Sequence, residues 1–376
     1  MSIRRPFVVS CAFAAAVLGG CVSPPPSRNV PAQTADVPAR IGRVFVIVLE
    51  NKPFDTTFGT NSPAPYLAHE LVPQGALLRQ YFAIGHFSLD NYIAMISGQA
   101  PNIATQGDCG EYSEFVASDP VPDANGQLRG KGCVYPASIK TVADQIEAAN
   151  LDWKGYMEDM GNDPAREAAS CGHAKIGTKD PTLGAEKNDQ YAAKHDPFVY
   201  FHSIIDDEPR CERHVVNLDK LPHDLQRVET TPNYAFITPN LCHDGHDEPC
   251  VNREPGGLVS ADAFLRRWVP RILESPAFKH DGLLVVTFDE ALANDSRACC
   301  GEAGLPGNKP GLNGPGGGRI GALLLSPRIR PGTVSDVPYN HYSLLRWTED
   351  NFGLPHLGYA GTPGLATFGD DVFGKR

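Results

Sequence analysis

The chain has 376 residues, 41% hydrophobic and 20% charged, the balance of a globular protein long enough to bury a large core. Its 37 glycines and 33 prolines argue against a helical bundle and for a loop-rich α/β or β architecture. Against 44 Asp and Glu stand only 33 Lys and Arg, a net charge of −11, which offers no field for nucleic acid and no polybasic membrane patch.

Arg4 and Arg5 precede an apolar run over residues 6–20, too short to span a bilayer but suited to the apolar core of a secretory signal. It ends in Leu18-Gly19-Gly20-Cys21, which resembles a bacterial lipoprotein lipobox. Residues 1–20 are therefore expected to be a lipoprotein-type signal peptide, with Cys21 carrying lipid; an ordinary signal with a chance cysteine is the competing reading. The Pro-rich residues 21–40 read as a tether, and residues 41–376 as one folded domain. The expected location is the periplasm or cell envelope of a bacterium, in contact with the membrane through the lipid on Cys21.

Residues 43–50 (RVFVIVLE) form a β-branched run ending in polar residues, the pattern of a central parallel strand buried on both faces. Residues 86–98 (HFSLDNYIAMISG) set Ser88, Asp90 and Asn91 ahead of an apolar-periodic run, so Ser88 is expected at a helix N-terminus. An amphipathic helix is expected at 138–151, a strand at 233–240, a helix at 261–275 and a strand at 280–290. Residues 301–318 are too glycine-rich for core and read as a solvated loop or a lid, followed by a strand at 319–327 and a helix at 341–352. Alternating strands and helices imply a mostly parallel sheet covered on both faces. In such a sheet, ligands bind beyond the carboxyl ends of the strands.

The chain has ten cysteines, more than a cytosolic enzyme of this size usually keeps. Setting aside Cys11 and Cys21, the domain keeps Cys109, Cys133, Cys171, Cys211, Cys242, Cys250, Cys299 and Cys300. No CxxC pair occurs, so disulfides are favoured over a metal-thiolate site. Cys109 with Cys133 and Cys242 with Cys250 are the cheapest loops to close.

The strand ends carry Glu50-Asn51, then Pro239-Asn240 with His243, Asp244 and His246 just beyond, and Asp289-Glu290. A helix cap accounts for any one of these acids. Three strand ends together supply hard oxygen donors with imidazole nearby, a set that suits a divalent metal. No G-x-S-x-G elbow, P-loop, G-x-G-x-x-G or H-E-x-x-H occurs. That favours Ser88 activated by a metal over a Ser-His hydrolase.

In order along the chain, Glu50-Asn51-Lys52-Pro53-Phe54-Asp55 resembles the signature E-N-x-x-F-D of the phosphoesterase family of the alkaline phosphatase superfamily, and Ser88-Leu89-Asp90-Asn91 its S/T-x-P-N nucleophile motif. Asn240 with Asp244, His246 and Asp247, then Asp289-Glu290 and Asn340-His341, complete a resemblance running from residue 43 to about 353. It implies an alkaline-phosphatase-like three-layer α/β sandwich with long inserted loops. It also implies a divalent metal held by Glu50, Asn51, Ser88, Asp289 and Glu290, an attacking Ser88, a transient phosphoserine, and Asn91 donating to a phosphoryl oxygen. His246 and His341, with Asp244, would bind a second metal or the phosphate itself.

The chain departs from the pattern at Asp90, which replaces the usual proline. It lacks the glycine-rich stretch after Glu290 seen in plant-type phospholipases C, and an appended C-terminal domain is not expected. The last two point to a minimal, acid-phosphatase-like member, and a composition without surplus apolar or Trp residues for docking on bilayers favours phosphomonoesters. Phospholipase C or other phosphodiester chemistry at the same site is the alternative, and a non-catalytic surface-lipoprotein binding module is the reading from another class. Sulfatase chemistry ranks low, since no C/S-x-P-x-R run surrounds Ser88. The expected substrate is thus a small phosphate ester or a phospholipid, and no protein partner is expected. His86 is expected to face the site, while Tyr156 and the segment 195–202 read as packing that could also shape the pocket.

Overall fold

A computed structural model describes residues 40–301 and 316–374. The signal peptide, nearly all of the tether including Cys21, and most of the glycine-rich stretch read as a loop or lid lie outside the described residues. No helix among the described residues is long and apolar enough to cross a membrane.

One eight-stranded sheet organises the chain. Its strands are β1 (Arg43–Leu49), β2 (Ala76–Leu78), β3 (Trp153–Met157), β4 (Val215–Asn217), β5 (Tyr234–Thr238), β6 (Gly282–Phe288), β7 (Ala322–Leu325) and β8 (Thr333–Ser335). Their spatial order is β8-β2-β7-β6-β1-β5-β3-β4. β1 lies at the centre and pairs in parallel with β5 and β6, which is why all three are continuous apolar runs. β7 is antiparallel to both β6 and β2, and every other pairing is parallel.

Four longer helices matter for the site: α1 (Ser88–Ser97), α2 (Val142–Ala148), α3 (Gly257–Glu274) and α4 (His341–Phe352). α1, α2 and α4 pack together, while α3 packs on the helices Tyr66–Leu71 and Pro276–Asp281. The two groups cover opposite faces, as the register shows. Val46 pairs with Phe236, so Phe45, one residue earlier, points to the other side. Phe236 meets Tyr92 of α1 with ring centroids 6.1 Å apart, and Phe45 meets Phe278 of the second group at 6.4 Å. The result is the expected three-layer arrangement.

Several sequence expectations need correction. The strand expected at 319–327 narrows to β7 and runs against its neighbours, a direction its apolar composition does not encode. The helix expected at 138–151 starts only at Val142, because Thr141 and Asp144 close a reciprocal capping box there. α3 begins at Gly257, four residues before the expected start. β2, β4 and β8 are three residues each, too short to show a period. Tyr156 belongs to β3 and donates its hydroxyl to Asp224 Oδ2 at 2.8 Å, so it is packing.

Phe236 is fully buried between Tyr92 and Phe198. Phe236→Ala is expected to cost about 3–5 kcal/mol, measured by urea unfolding. A loss below about 1 kcal/mol would show that this interface is not part of the cooperative core.

Candidate active site

The end of β1 delivers Glu50, fully buried, whose backbone N–H donates to Asp244 O at 2.8 Å. Asn51 follows with φ 57°, a left-handed turn that asparagine tolerates better than most residues. Its amide donates to Glu50 Oε2 at 2.8 Å and its backbone N–H to Asp289 Oδ1 at 3.0 Å. The β1 and β6 ends are thereby tied together, and Glu50 and Asp289 are brought face to face.

Ser88 is the first residue of α1, 2% exposed, and its Oγ donates to Glu50 Oε2 at 2.9 Å. Phe87 before it sits at φ 79°, a strained position for an aromatic residue and a common mark of a functional turn. The turn is held from two sides. Glu290 Oε1 accepts from Phe87 N at 3.1 Å. Asn91 Oδ1 accepts from Ile84 N and Gly85 N, and Asn91 Nδ2 donates to Gly85 O and Phe87 O, both at 3.0 Å. Asn91 is thus engaged through both side-chain atoms as the staple of the Ser88 turn, and any further donation from Nδ2 requires it to release one of these bonds.

Glu290 also takes a hydrogen bond from His86 Nδ1, while His86 Nε2 meets Asp295 O at 3.0 Å. A carbonyl can only accept, so Nε2 carries a proton, and the imidazole shares a second one with Glu290. Burial works against that charge, but the Glu290 carboxylate outweighs it and holds the imidazole above its ordinary range. His86 therefore reaches the site through Glu290, which it engages.

Asp244 and Asp289 are fully buried. Asp244 Oδ1 accepts from His246 N at 2.7 Å. Glu50 Oε1, Asp244 Oδ2 and Asp289 Oδ2 have no hydrogen-bond partner. Burial is the largest cause holding these three carboxyls well above the carboxylate range; the Asp289 charge adds to it at Glu50, the Glu50 charge at Asp244 and the Glu290 charge at Asp289. Buried acids with unfilled oxygens and mutual repulsion are the donor set of a hard divalent cation, so the residues fit one. They do not converge as a tight triad. Among the described residues, the one group with three donor atoms within 4.8 Å is Cys242, His243 and Glu254. Cys242 is disulfide-bonded to Cys250, which leaves that group no thiolate to ligate with.

His246 stands at the rim, 42% exposed, paired with Asp247 Oδ1 at 2.8 Å, which raises its pKa. His341, the first residue of α4, is buried and reads differently from a cationic phosphate ligand. Its Nε2 lies 2.6 Å from Asp289 O and Nδ1 3.4 Å from Tyr81 Oη, and burial pushes its pKa down to about 4. His341 is a neutral imidazole that donates to the Asp289 carbonyl and fixes the end of β6.

Two neighbours at the centre of the site escaped the sequence reading. His195 Nε2 lies 3.1 Å from Glu50 Oε1 and Nδ1 3.4 Å from Asp244 Oδ2, close in distance but without hydrogen-bond direction. Its ring stacks on Tyr92 at 5.2 Å. Lys194, also buried, donates to Asp108 Oδ2 at 3.0 Å; burial disfavours its charge, but Asp108 and Glu50 outweigh that and raise its pKa. The sequence holds one hint, that residues 195–202 could shape the pocket, but the aromatics of that segment are buried packing residues and it is His195 that reaches the site. Disulfides join Cys109 to Cys133, Cys171 to Cys211, Cys242 to Cys250 and Cys299 to Cys300. The third brackets the turn carrying Asp244 and His246.

The Phosphoesterase family model matches residues 60–355. A phosphate-repressible acid phosphatase of Penicillium chrysogenum is 28% identical over 77% of this chain and 55% of its own length. A phosphatidylinositol-3-phosphatase of Mycobacterium tuberculosis is 25% identical over 95% of this chain and 91% of its own. The chain spans 55–60% of the length of the curated acid phosphatases it matches. Among solved structures, a protein in the alkaline phosphatase superfamily from Vibrio parahaemolyticus is 12% identical, covers 84% of this chain and 67% of its own, and superposes with a TM-score of 0.49. With more than half of its length matched, from before the Ser88 turn to beyond the His341 helix, the chain belongs to the phosphoesterase family.

Proposed function

We propose that this chain is an exported, metal-dependent phosphoesterase that hydrolyses phosphomonoesters through a phosphoserine on Ser88. The observation that carries this reading is the Ser88 Oγ hydrogen bond to Glu50 Oε2, 2.9 Å long, at the N-terminus of a ten-residue helix and beside buried carboxylates with unfilled oxygens. The relatives named acid phosphatase and phosphatidylinositol-3-phosphatase support it. Four disulfides support the exported part; the lipid anchor on Cys21 rests on the lipobox resemblance alone.

A divalent cation held by Glu50, Asn51, Ser88, Asp289 and Glu290, with Asp244 and His195 at its edge, would supply positive charge against the serine alkoxide and the phosphoryl oxygens. Glu50 Oε2 is placed to take the Ser88 proton as Oγ bonds to phosphorus and the ester P–O bond breaks. His246, whose pKa the Asp247 pairing raises, would give a proton to the leaving oxygen. Water then attacks phosphorus, the Oγ–P bond breaks, Ser88 regains its proton and inorganic phosphate leaves. The α1 N-terminus favours negative charge at this point throughout.

A second reading concerns the substrate's other half. The relative aligned over 95% of this chain is named for a phosphate on a lipid headgroup, which favours a phosphoinositide monophosphate over a phosphodiester. The test is acid-quenched turnover with aryl phosphate, phosphatidylinositol monophosphate and phosphatidylcholine, followed by phosphopeptide mass spectrometry. The expected result is release of phosphate from both monoesters, suppressed by chelator, with phosphate trapped on the peptide containing Ser88. Chelator-resistant turnover, or phosphate trapped on another residue, would refute the mechanism.

A further inference from the structure

Beyond the ends of β3 and β4 lies a separate cavity of about 340 Å³, lined among others by Glu158, Asp159, Asp219, Arg267, Trp268 and Arg271. Its lining includes none of Glu50, Ser88, Asp244, Asp289 and Glu290. Asn240 N donates to Glu158 Oε2 at 3.1 Å and Asn240 Nδ2 to Asp159 Oδ2 at 2.8 Å, so two of the cavity's acids are tied to the turn that starts at Asn240 and carries Asp244.

The acids of the lining are already engaged. Glu158 also pairs with His243 Nδ1 at 2.9 Å, Asp159 accepts from Gln190 N at 3.2 Å, and Asp219 lies 3.3 Å from Lys220 Nζ. The arginines are not matched in this way. They stand four residues apart on α3, with guanidinium carbons 5.1 and 4.9 Å from the Trp268 ring centroid. Neither has a carboxylate within 4.0 Å among the described residues. Both arginines are exposed at the cavity, and the indole they lie over is buried, a fixed surface for cation–π contact. What the cavity leaves unmatched is therefore a pair of guanidinium groups held over one indole, donors without a carboxylate partner, which suits a tetrahedral oxyanion.

We propose that Arg267 and Arg271 form a phosphate-binding site separate from the Ser88 centre, occupied either by free inorganic phosphate or by the second phosphate of a larger ligand. The site does not depend on the reaction proposed for Ser88, and its test reads binding rather than turnover.

Trp268 supplies a local signal. The full chain is titrated with inorganic phosphate, and separately with a bisphosphorylated polyol, while tryptophan fluorescence is recorded for wild type, R267A/R271A, R267K/R271K and W268F. The expected result is a saturable change in wild type that is lost in W268F. Its half-saturation should rise roughly tenfold or more in R267A/R271A, with the lysine variant in between. Saturation by inorganic phosphate identifies the free ion as occupant; saturation by the bisphosphate alone identifies the second phosphate of a larger ligand. No saturable change with either probe in wild type, or an unaltered half-saturation in a folded R267A/R271A protein, overturns the proposal. Circular dichroism and the thermal midpoint establish that each variant is folded.

Discussion

Ser88→Ala is expected to lower kcat on an aryl phosphate by on the order of 10⁴-fold or more, because the proposed mechanism then has no group to form the covalent bond. The fold should hardly notice. Ser88 Oγ makes one side-chain hydrogen bond, to Glu50 Oε2, and that oxygen keeps the Asn51 amide as partner; the thermal midpoint should move by no more than a few degrees. Steady-state kinetics and a thermal melt on the same sample check both halves. Activity within about tenfold of wild type would move the nucleophile elsewhere, and a collapsed melt would make Ser88 a structural cap. Substrate affinity should change far less than turnover, since the hydroxyl's contribution is made in the transition state.

The second large effect concerns the buried acids. Glu50, Asp244 and Asp289 have their carboxyl pKa values raised, first by burial and then by neighbouring charges. A raised pKa means that the folded protein holds protons the unfolded chain has already released. The stabilising contribution is thus complete below the unfolded carboxyl range, about pH 4, and is lost as pH rises toward the folded pKa values. In chelator, these groups should make the protein more stable on mild acidification from neutrality, opposite in sign to an ordinary salt-bridged carboxylate. Asp289→Asn removes one of the crowded charges while its Oδ1 can still accept from Asn51 N and Glu290 N. It is expected to raise stability in chelator by roughly 1 kcal/mol or more, to flatten that pH dependence, and to lower kcat by on the order of 10³-fold. Adding a divalent cation should raise the thermal midpoint of wild type well above that of the variant. Thermal midpoints across pH 5 to 8, with chelator and with cation, are the measurement; equal cation-induced shifts in both proteins would remove Asp289 from the ligand set.

The central strands were legible because strands buried on both faces must be apolar without interruption, and the runs at 43–50, 233–240 and 280–290 have that form. Their polar ends marked where the candidate site gathers. Short edge strands such as β2 and β8 carry too few residues to show a period, and the antiparallel course of β7 depends on its neighbours. In the site, Glu50, Asn51, Ser88 and Asp289 were found in sequence and are brought together by hydrogen bonds. His195 was not found, because its relation to Glu50 and Asp244 exists only after β1, β5 and the loop before α3 are placed side by side. The same holds for the His86 bond to Glu290, between residues 204 positions apart.

By itself the amino-acid sequence determined the layer order, the cysteine supply for disulfides and the residue types at three strand ends, since each follows from local composition and spacing. Tertiary structure alone decided protonation and partnership. Burial makes His341 a neutral support for Asp289, pairing makes His86 the holder of Glu290, and Asn91 becomes the staple of the Ser88 turn. The physical reason is that a side chain's charge and reach depend on its solvent exposure and on its neighbours in space, and neither is a property of its position along the chain.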